Sequence, residues 1–218
     1  MPRLPALLLA LIAFPAGASA SATNQSPANG ASVDSATPQL AWTLPAGETS
    51  EKATVAVRSS IDAAGALLAA NVVEIGGVAP AATFWAPTHA LGAGTFWWNV
   101  ATRDGSNAQL FSTATRFVVP PSLRLGKARA NRGKKHRLFV YLPVVTNLPS
   151  ARVSITIRAG KKVVGTVAVT VSALGVGVPT NATLIWKATV KKGKALTIAG
   201  RVRAGGLVER FSLPAKAP

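Results

Sequence analysis

The chain contains no cysteine. It therefore has no disulfide, no thiolate nucleophile, no cysteine zinc site and no lipid-modified cysteine, so its stability must come from burying apolar surface. Histidine occurs only at His89 and His136, and tyrosine and methionine once each. With so few such side chains no zinc ligand set can be assembled, and no Asp-x-Asp calcium loop is present. No metal or other cofactor is expected. Beyond the N-terminus no run of eighteen apolar residues occurs, so no membrane-spanning helix is expected in the mature chain.

Acid is scarce, and unevenly so. Of seven Asp and Glu, six lie between Ser21 and Pro121, alongside four Lys and Arg. From Ser122 to Pro218 there are nineteen Lys and Arg and one acid, Glu209. The formal charges of these nearly equal stretches are −2 and +18. An asymmetry this steep points to a division of labour and to an anionic partner for the second stretch.

What is present at the N-terminus reads as an export signal. Arg3 supplies the positive end, Leu4 to Phe14 an apolar stretch of eleven residues, and Ala18-Ser19-Ala20 a small-residue cleavage pattern. Residues 1–20 are expected to be a signal peptide and the protein to be secreted, extracellular and held at or near a bacterial cell envelope. The roughly 200 remaining residues suffice for two domains, each with its own core.

Strand signals dominate those residues. Period-2 alternation recurs at Ala53–Arg58, Thr95–Ala101, Arg152–Arg158, Thr166–Val171 and Thr183–Val190, separated by Gly, Pro, Asn, Asp and Ser. Ile61–Ala70 reads as a loop and edge strand. Val118-Val119-Pro120-Pro121 closes one run of strands, and the charge balance changes at the same place. The expected fold is all-β, two tandem antiparallel β-sandwich domains at 21–121 and 122–218, joined by a short semi-rigid connection.

Pro38-x-Leu40-x-Trp42, Val55-x-Val57, Leu91-x-x-Gly94-Thr95-Phe96-x-Trp98-x-Val100 and Phe117-x-Val119 resemble the strands of a bacterial fibronectin type III module over about 24–119. Phe96, Trp98 and Val100 fall on one strand face, where Trp42 can meet them from the opposing sheet. Asp104-Gly105 is expected to turn a hairpin before Leu110 and Phe111. The corner tyrosine usual in that family is absent. Such modules act as spacers or interaction modules, so the resemblance implies protein partners for this domain rather than catalysis.

The second domain is more loosely similar to an immunoglobulin-like sandwich. Seven strands are expected: Leu123–Ala130, His136–Val145, Arg152–Arg158, Val163–Val171, Thr183–Val190, Ala195–Arg203 and Leu207–Leu213. Pro143 should mark a strand end or an edge, and the tail from Leu213 to Ala217 a frayed terminus. Three turns share one chemistry: Gly133-Lys134-Lys135, Gly160-Lys161-Lys162 and Lys191-Lys192-Gly193-Lys194. If each strand reverses the chain, these turns gather at the end remote from the first domain. The candidate anion-binding residues are Arg132, Lys134, Lys135, Lys161, Lys162, Lys191, Lys192 and Lys194. Arg152, Arg201 and Arg203 would lie nearer the linker. Lysines in turns ordinarily serve solubility, but solubility requires no single sign. The candidate partner is an anionic cell-wall polymer or another acidic surface. Specific nucleic-acid recognition lacks a signal, because Phe139, Tyr141, Trp186 and Phe211 are the only aromatics here and several fall on core faces.

Catalysis has little to draw on. A Ser-His-Asp set from His89 and Asp104 lacks any nucleophile elbow, and the second domain cannot supply a carboxylate pair. No enzyme activity is expected. Trp85 and Trp97 offer a different reading, a carbohydrate-binding accessory protein whose outward indoles stack on sugar; covering a sheet face or a domain contact is their bland alternative.

Overall fold

A computed structural model describes residues 21–218; the signal peptide expected at 1–20 lies outside the described residues. The described chain is all-β, with one 3-10 turn at Ala69–Asn71 as its helical element. The first half contains β1 (Thr23–Ser26), β2 (Ala31–Ser32), β3 (Leu40–Thr43), β4 (Thr49–Ala56), β5 (Val72–Gly77), β6 (Phe84–Trp85), β7 (Gly94–Arg103), β8 (Gln109–Phe111) and β9 (Thr115–Val119). One sheet has the order β1-β3-β6, and the other β2-β9-β7-β4-β5 with β8 also on β7. All pairs are antiparallel except β2 with β9.

Alternation explains the core between these sheets. Phe96, Trp98 and Val100 on β7 meet Leu40 and Trp42 on β3, with Val55 and Phe117 beside them, all buried. The Trp42 and Trp98 rings lie 6.5 Å apart at a tilt of 50°. The Trp42 indole N–H donates to Ser50 Oγ at 3.0 Å, so its polar edge is paired. Ile61–Ala70 is a loop pinched by an Ile61–Leu67 bridge, and the edge strand follows it at Val72. The β7–β8 turn is also wider than a two-residue turn. Asp104 Oδ1 accepts from the N–H groups of Ser106 and Ala108, and Asn107, not Gly105, takes the left-handed conformation at φ 66°. An Asx side chain has replaced the expected two-residue turn.

The second half contains β10 (Leu123–Leu125), β11 (Arg129–Arg132), β12 (Arg137–Thr146), β13 (Ser150–Ala159), β14 (Lys162–Ser172), β15 (Thr180–Lys187), β16 (Ala195–Ala204) and β17 (Leu207–Lys216). In one sheet β12 is central, flanked by β15 on one side and by β10 and β11 in succession on the other. The facing sheet has the order β14-β13-β16-β17. Leu138, Val140, Leu142 and Val144 from β12 pack against Val153, Ile155 and Ile157 from β13, closed by Leu184, Trp186, Leu196 and Ile198. Fully burying a side chain of this size contributes about 1.5–3 kcal/mol.

Four expectations are corrected here. The strand expected over Leu123–Ala130 is two strands, broken at 126–128. Pro143 sits inside the central strand, not at an end or edge. Its carbonyl accepts from Gly126 N–H at 2.8 Å, so its missing N–H faces the gap between β10 and β11. No ladder partner is lost there. The strand expected to reach Val190 stops at Lys187. The terminus is fastened: β17 runs to Lys216, Ala217 is fully buried, and Ala217 N–H donates to Lys194 O at 2.8 Å.

Two neighbouring side chains hold the linker: Thr146, whose Oγ1 donates to Ser122 O at 2.7 Å, and Asn147. Asn147 Nδ2 donates to Pro120 O at 2.8 Å, and Asn147 Oδ1 accepts from Ser122 N–H at 2.7 Å. Asn147 O also accepts from Ala93 N–H of the first half at 3.0 Å.

Candidate functional site

Register fixes where the three basic turns lie. Lys187, the last residue of β15, is opposite Arg137, the first of β12 after the first turn. Thr197, just inside β16, is opposite Arg158, just before the second turn. The long loop from β15 to β16 therefore starts beside one basic turn and ends beside the other. All three sit at the end opposite Leu123 and Asn147, where the chain enters from the first half. Arg132, Lys134, Lys135, Lys161, Lys162, Lys191, Lys192 and Lys194 are all exposed there.

Backbone contacts hold these turns in place. Ala188 N–H donates to His136 O at 2.7 Å, joining the loop to the first turn. Gly193 N–H donates to Ala217 O at 3.0 Å, joining the loop to the end of β17. His136 was expected to open β12, but with Lys135 it forms the turn itself, both at φ 55°. The fastened terminus also brings Lys216 to this end. Lys216 and Arg132 line a cleft of about 600 Å³ whose floor includes Leu138 and Leu196. Sequence reasoning missed Lys216 because it read that tail as frayed. Arg137, Arg158 and Lys187 flank the same turns, as the strand ends alone could have shown.

Arg152, Arg201 and Arg203 lie toward the linker end, on the outer face of the second sheet. There Arg152 is directly opposite Arg203, and Arg201 opposite Arg210. A shallow groove of about 400 Å³ runs past Arg201 and Arg210 between Ser154 and Thr156.

The structure does not bring Trp85 and Trp97 together. Trp85 is on β6, and its ring covers Gly76 of the opposite sheet so closely that an added Cβ would lie 2.1 Å from Nε1. Trp97 is on β7, in the other sheet, alternating with buried Phe96 and Trp98. Trp186 and Phe211 pack with the second core, whereas Phe139 and Tyr141 lie on the outer face of β12.

In the first half, His89 is held at Glu74, which lies in register through Val55 with Trp98 in the middle of β7, whereas Asp104 follows the end of that strand six residues further on, roughly 20 Å along it. The neighbour of His89 is Glu74, whose carboxylate accepts from Thr88 N–H at 2.8 Å, Thr88 Oγ1 at 2.6 Å and His89 N–H at 3.2 Å. Burial alone would raise the Glu74 pKa, but these bonds outweigh it and hold the carboxyl below its ordinary 4.5. Glu51 is also held low, chiefly by its hydrogen bond from Gln109, against a smaller opposing effect of burial and with help from Arg103 at 3.3 Å. These are structural carboxylates with their acceptor positions in use. Among the described residues no group of three or more His, Cys, Asp or Glu is placed to hold a metal, and no helix is long and apolar enough to cross a membrane.

Fold and surface together define an all-β, tandem-sandwich protein with one strongly cationic half. Solved structures to which the chain is similar include the fibronectin(III)-like modules of Clostridium thermocellum CbhA (14% identity, 90% of this chain, 93% of that one, TM-score 0.32) and the FN1-FN3 domains of chicken CNTN1 (10% identity, 87% of this chain, 62% of that one, TM-score 0.32). Dimeric latent PorU from Porphyromonas gingivalis is similar at 14% identity and TM-score 0.32 over 88% of this chain, which spans only 19% of that protein. No family profile and no curated protein matches the sequence.

Proposed function

We propose that this is a secreted, non-catalytic protein of the bacterial cell envelope, in which the first sandwich is a spacer or protein-interaction module and the second binds an anionic wall polymer. The observation that carries the reading is the exposed set of lysine turns at one end of the second sandwich, with Glu209 the sole acidic side chain in that half. Lysines on fastened turns present point charges to a flexible polyanion without a shaped pocket. The binding is electrostatic and therefore salt-sensitive, since the screening length falls from about 10 Å at 0.1 M salt to about 3 Å at 1 M.

The test is retention of the protein on purified anionic wall polymer at those two salt concentrations. Retention at the lower concentration and release at the higher is expected. Lys134→Ser, Lys135→Ser, Lys161→Ser and Lys162→Ser together should abolish retention while leaving the melting temperature within a few degrees. Equal retention of that variant would overturn the assignment of the end to binding.

A further inference from the structure

The outer face of the sheet centred on β12 carries a pattern that the lysine turns do not explain. Three residues form a central stripe, Phe139, Tyr141 and Pro143, on the face opposite buried Val140 and Leu142. The Phe139 and Tyr141 rings are 6.3 Å apart and within 12° of parallel. Two glycines keep the stripe's flank open. A Cβ on Gly133 would lie 2.2 Å from Phe139 Cε2, and one on Gly126 would lie 2.8 Å from Pro143 Cβ. The Phe139 and Pro143 rings therefore rest on the bare backbone of these two glycines.

The two flanks differ in chemistry. On the β11 side, Arg129 is directly opposite Tyr141, with Lys127 next along. On the β15 side, Thr183 is opposite Tyr141 and Asn181 opposite Pro143. These side chains line one shallow groove of about 660 Å³ around Tyr141 and Pro143. Tyr141 is 36% exposed, so its ring is available to a ligand.

We infer that this groove is a binding site for a uronic-acid-bearing polysaccharide. A hexuronate ring has an apolar face, a carboxylate on one edge and hydroxyls on the opposite edge. Laid on Tyr141, such a ring puts its carboxylate beside Arg129 and Lys127, where the guanidinium can donate two parallel N–H bonds to the carboxylate oxygens. Its hydroxyls meet Asn181 and Thr183, an amide and a hydroxyl suited to neutral polar groups. A single-stranded nucleic acid would also use the ring and the cations, but its phosphates call for cations along the backbone track, and the β15 flank of the groove offers none. The site is distinct from the lysine turns and stands or falls without them.

Calorimetric titration of the protein with oligogalacturonate at about 0.5 M salt, where exposed charges are screened beyond about 4 Å, tests this. Saturable binding is expected, with neutral oligogalactan at least about 10-fold weaker because no carboxylate meets Arg129. Tyr141→Ala should weaken binding on the order of 10-fold by removing the stacking face. Arg129→Lys keeps the charge but loses the fork and should weaken it several-fold. Unchanged melting of both variants separates lost binding from lost folding. The fourfold lysine-turn variant should bind oligogalacturonate as the parent does, so failure of the turns and failure of this groove read out separately. Equal binding by Tyr141→Ala, loss of binding in the lysine-turn variant, or tighter binding of oligothymidylate would each overturn the inference.

Discussion

In the first sandwich Glu51 meets Arg103 and Gln109, Glu74 ties down Thr88 and His89, and Glu48 accepts from Thr102 Oγ1 at 2.7 Å. In the second, Arg152 faces Arg203 and Arg201 faces Arg210 across neighbouring strands, and Glu209 forms no ion pair among the described residues. Charge in the first half serves local structure. Like charges directly opposite on a sheet cost a few tenths of a kcal/mol or more per pair, so charge in the second half works against the fold that carries it. A surface held against its own repulsion is available to an outside anion, and that contrast is the physical basis of the functional reading.

The largest test of this contrast concerns the two cores, which share no residue. Trp98 is completely buried in the first. Trp98→Ala should cost about 3–5 kcal/mol, lowering one calorimetric transition and leaving the other within about 0.5 kcal/mol. If both transitions fall together, the Asn147 clamp couples the halves into one cooperative unit and the comparison between them must be redrawn.

A smaller effect comes from acid. The folded pKa values of Glu74 and Glu51 lie below the ordinary 4.5. Their contribution is thus fully present above that value and is lost as pH falls through the lowered folded values. Acidification from about pH 5 to pH 3 should destabilise the first sandwich through these groups, while the second holds no carboxylate pinned by an ion pair. Glu74→Gln should remove about 1 kcal/mol at neutral pH and flatten the first transition's acid dependence. A second-sandwich transition that falls as steeply with acid would show that the division of charge is not what sets pH stability.

The alternation of Val153, Ile155 and Ile157, and of Phe96, Trp98 and Val100, made the sheets and both cores readable from sequence, because a period of two admits one buried face. The placement of the basic turns followed from counting reversals. What escaped depends on partners distant in the chain. Pro143 is tolerated in a central strand only because β10 and β11 leave a gap beside it. Lys216 reaches the cationic end because β17 stays paired with β16 out to the Ala195–Lys216 position, with Ala217 bonded to Lys194 just beyond. The groove at Tyr141 is flanked by Arg129 and Thr183 through strand register, and the Phe139 ring stacked beside Tyr141 can lie against residue 133 because that residue is glycine. The mismatch of Trp85 and Trp97 has the same origin: alternation gives the face of a strand, but not which of two sheets the strand joins.

The smallest effect bears most directly on why the second half tolerates its charge. In the first sandwich, left-handed turn positions are held by Gly30, Gly47, Gly65 and Asn107, residue types that adopt them at little cost. In the second, the turn from β11 to β12 puts Lys135 and His136 there, both at φ 55°. Each costs about 1–2 kcal/mol relative to glycine, less the roughly 0.5–1 kcal/mol of extra freedom that glycine loses on folding. His136→Gly should therefore stabilise the second sandwich by about 0.5–1 kcal/mol, raising its melting temperature by a few degrees, with Lys134 and Lys135 still in place. Retention on anionic polymer at low salt should then be unchanged, because the imidazole is not among the charges assigned to binding. Stabilisation with lost retention would mean instead that the strained turn sets the direction of its lysines, and that the conformation, not the charge alone, is what the ligand reads.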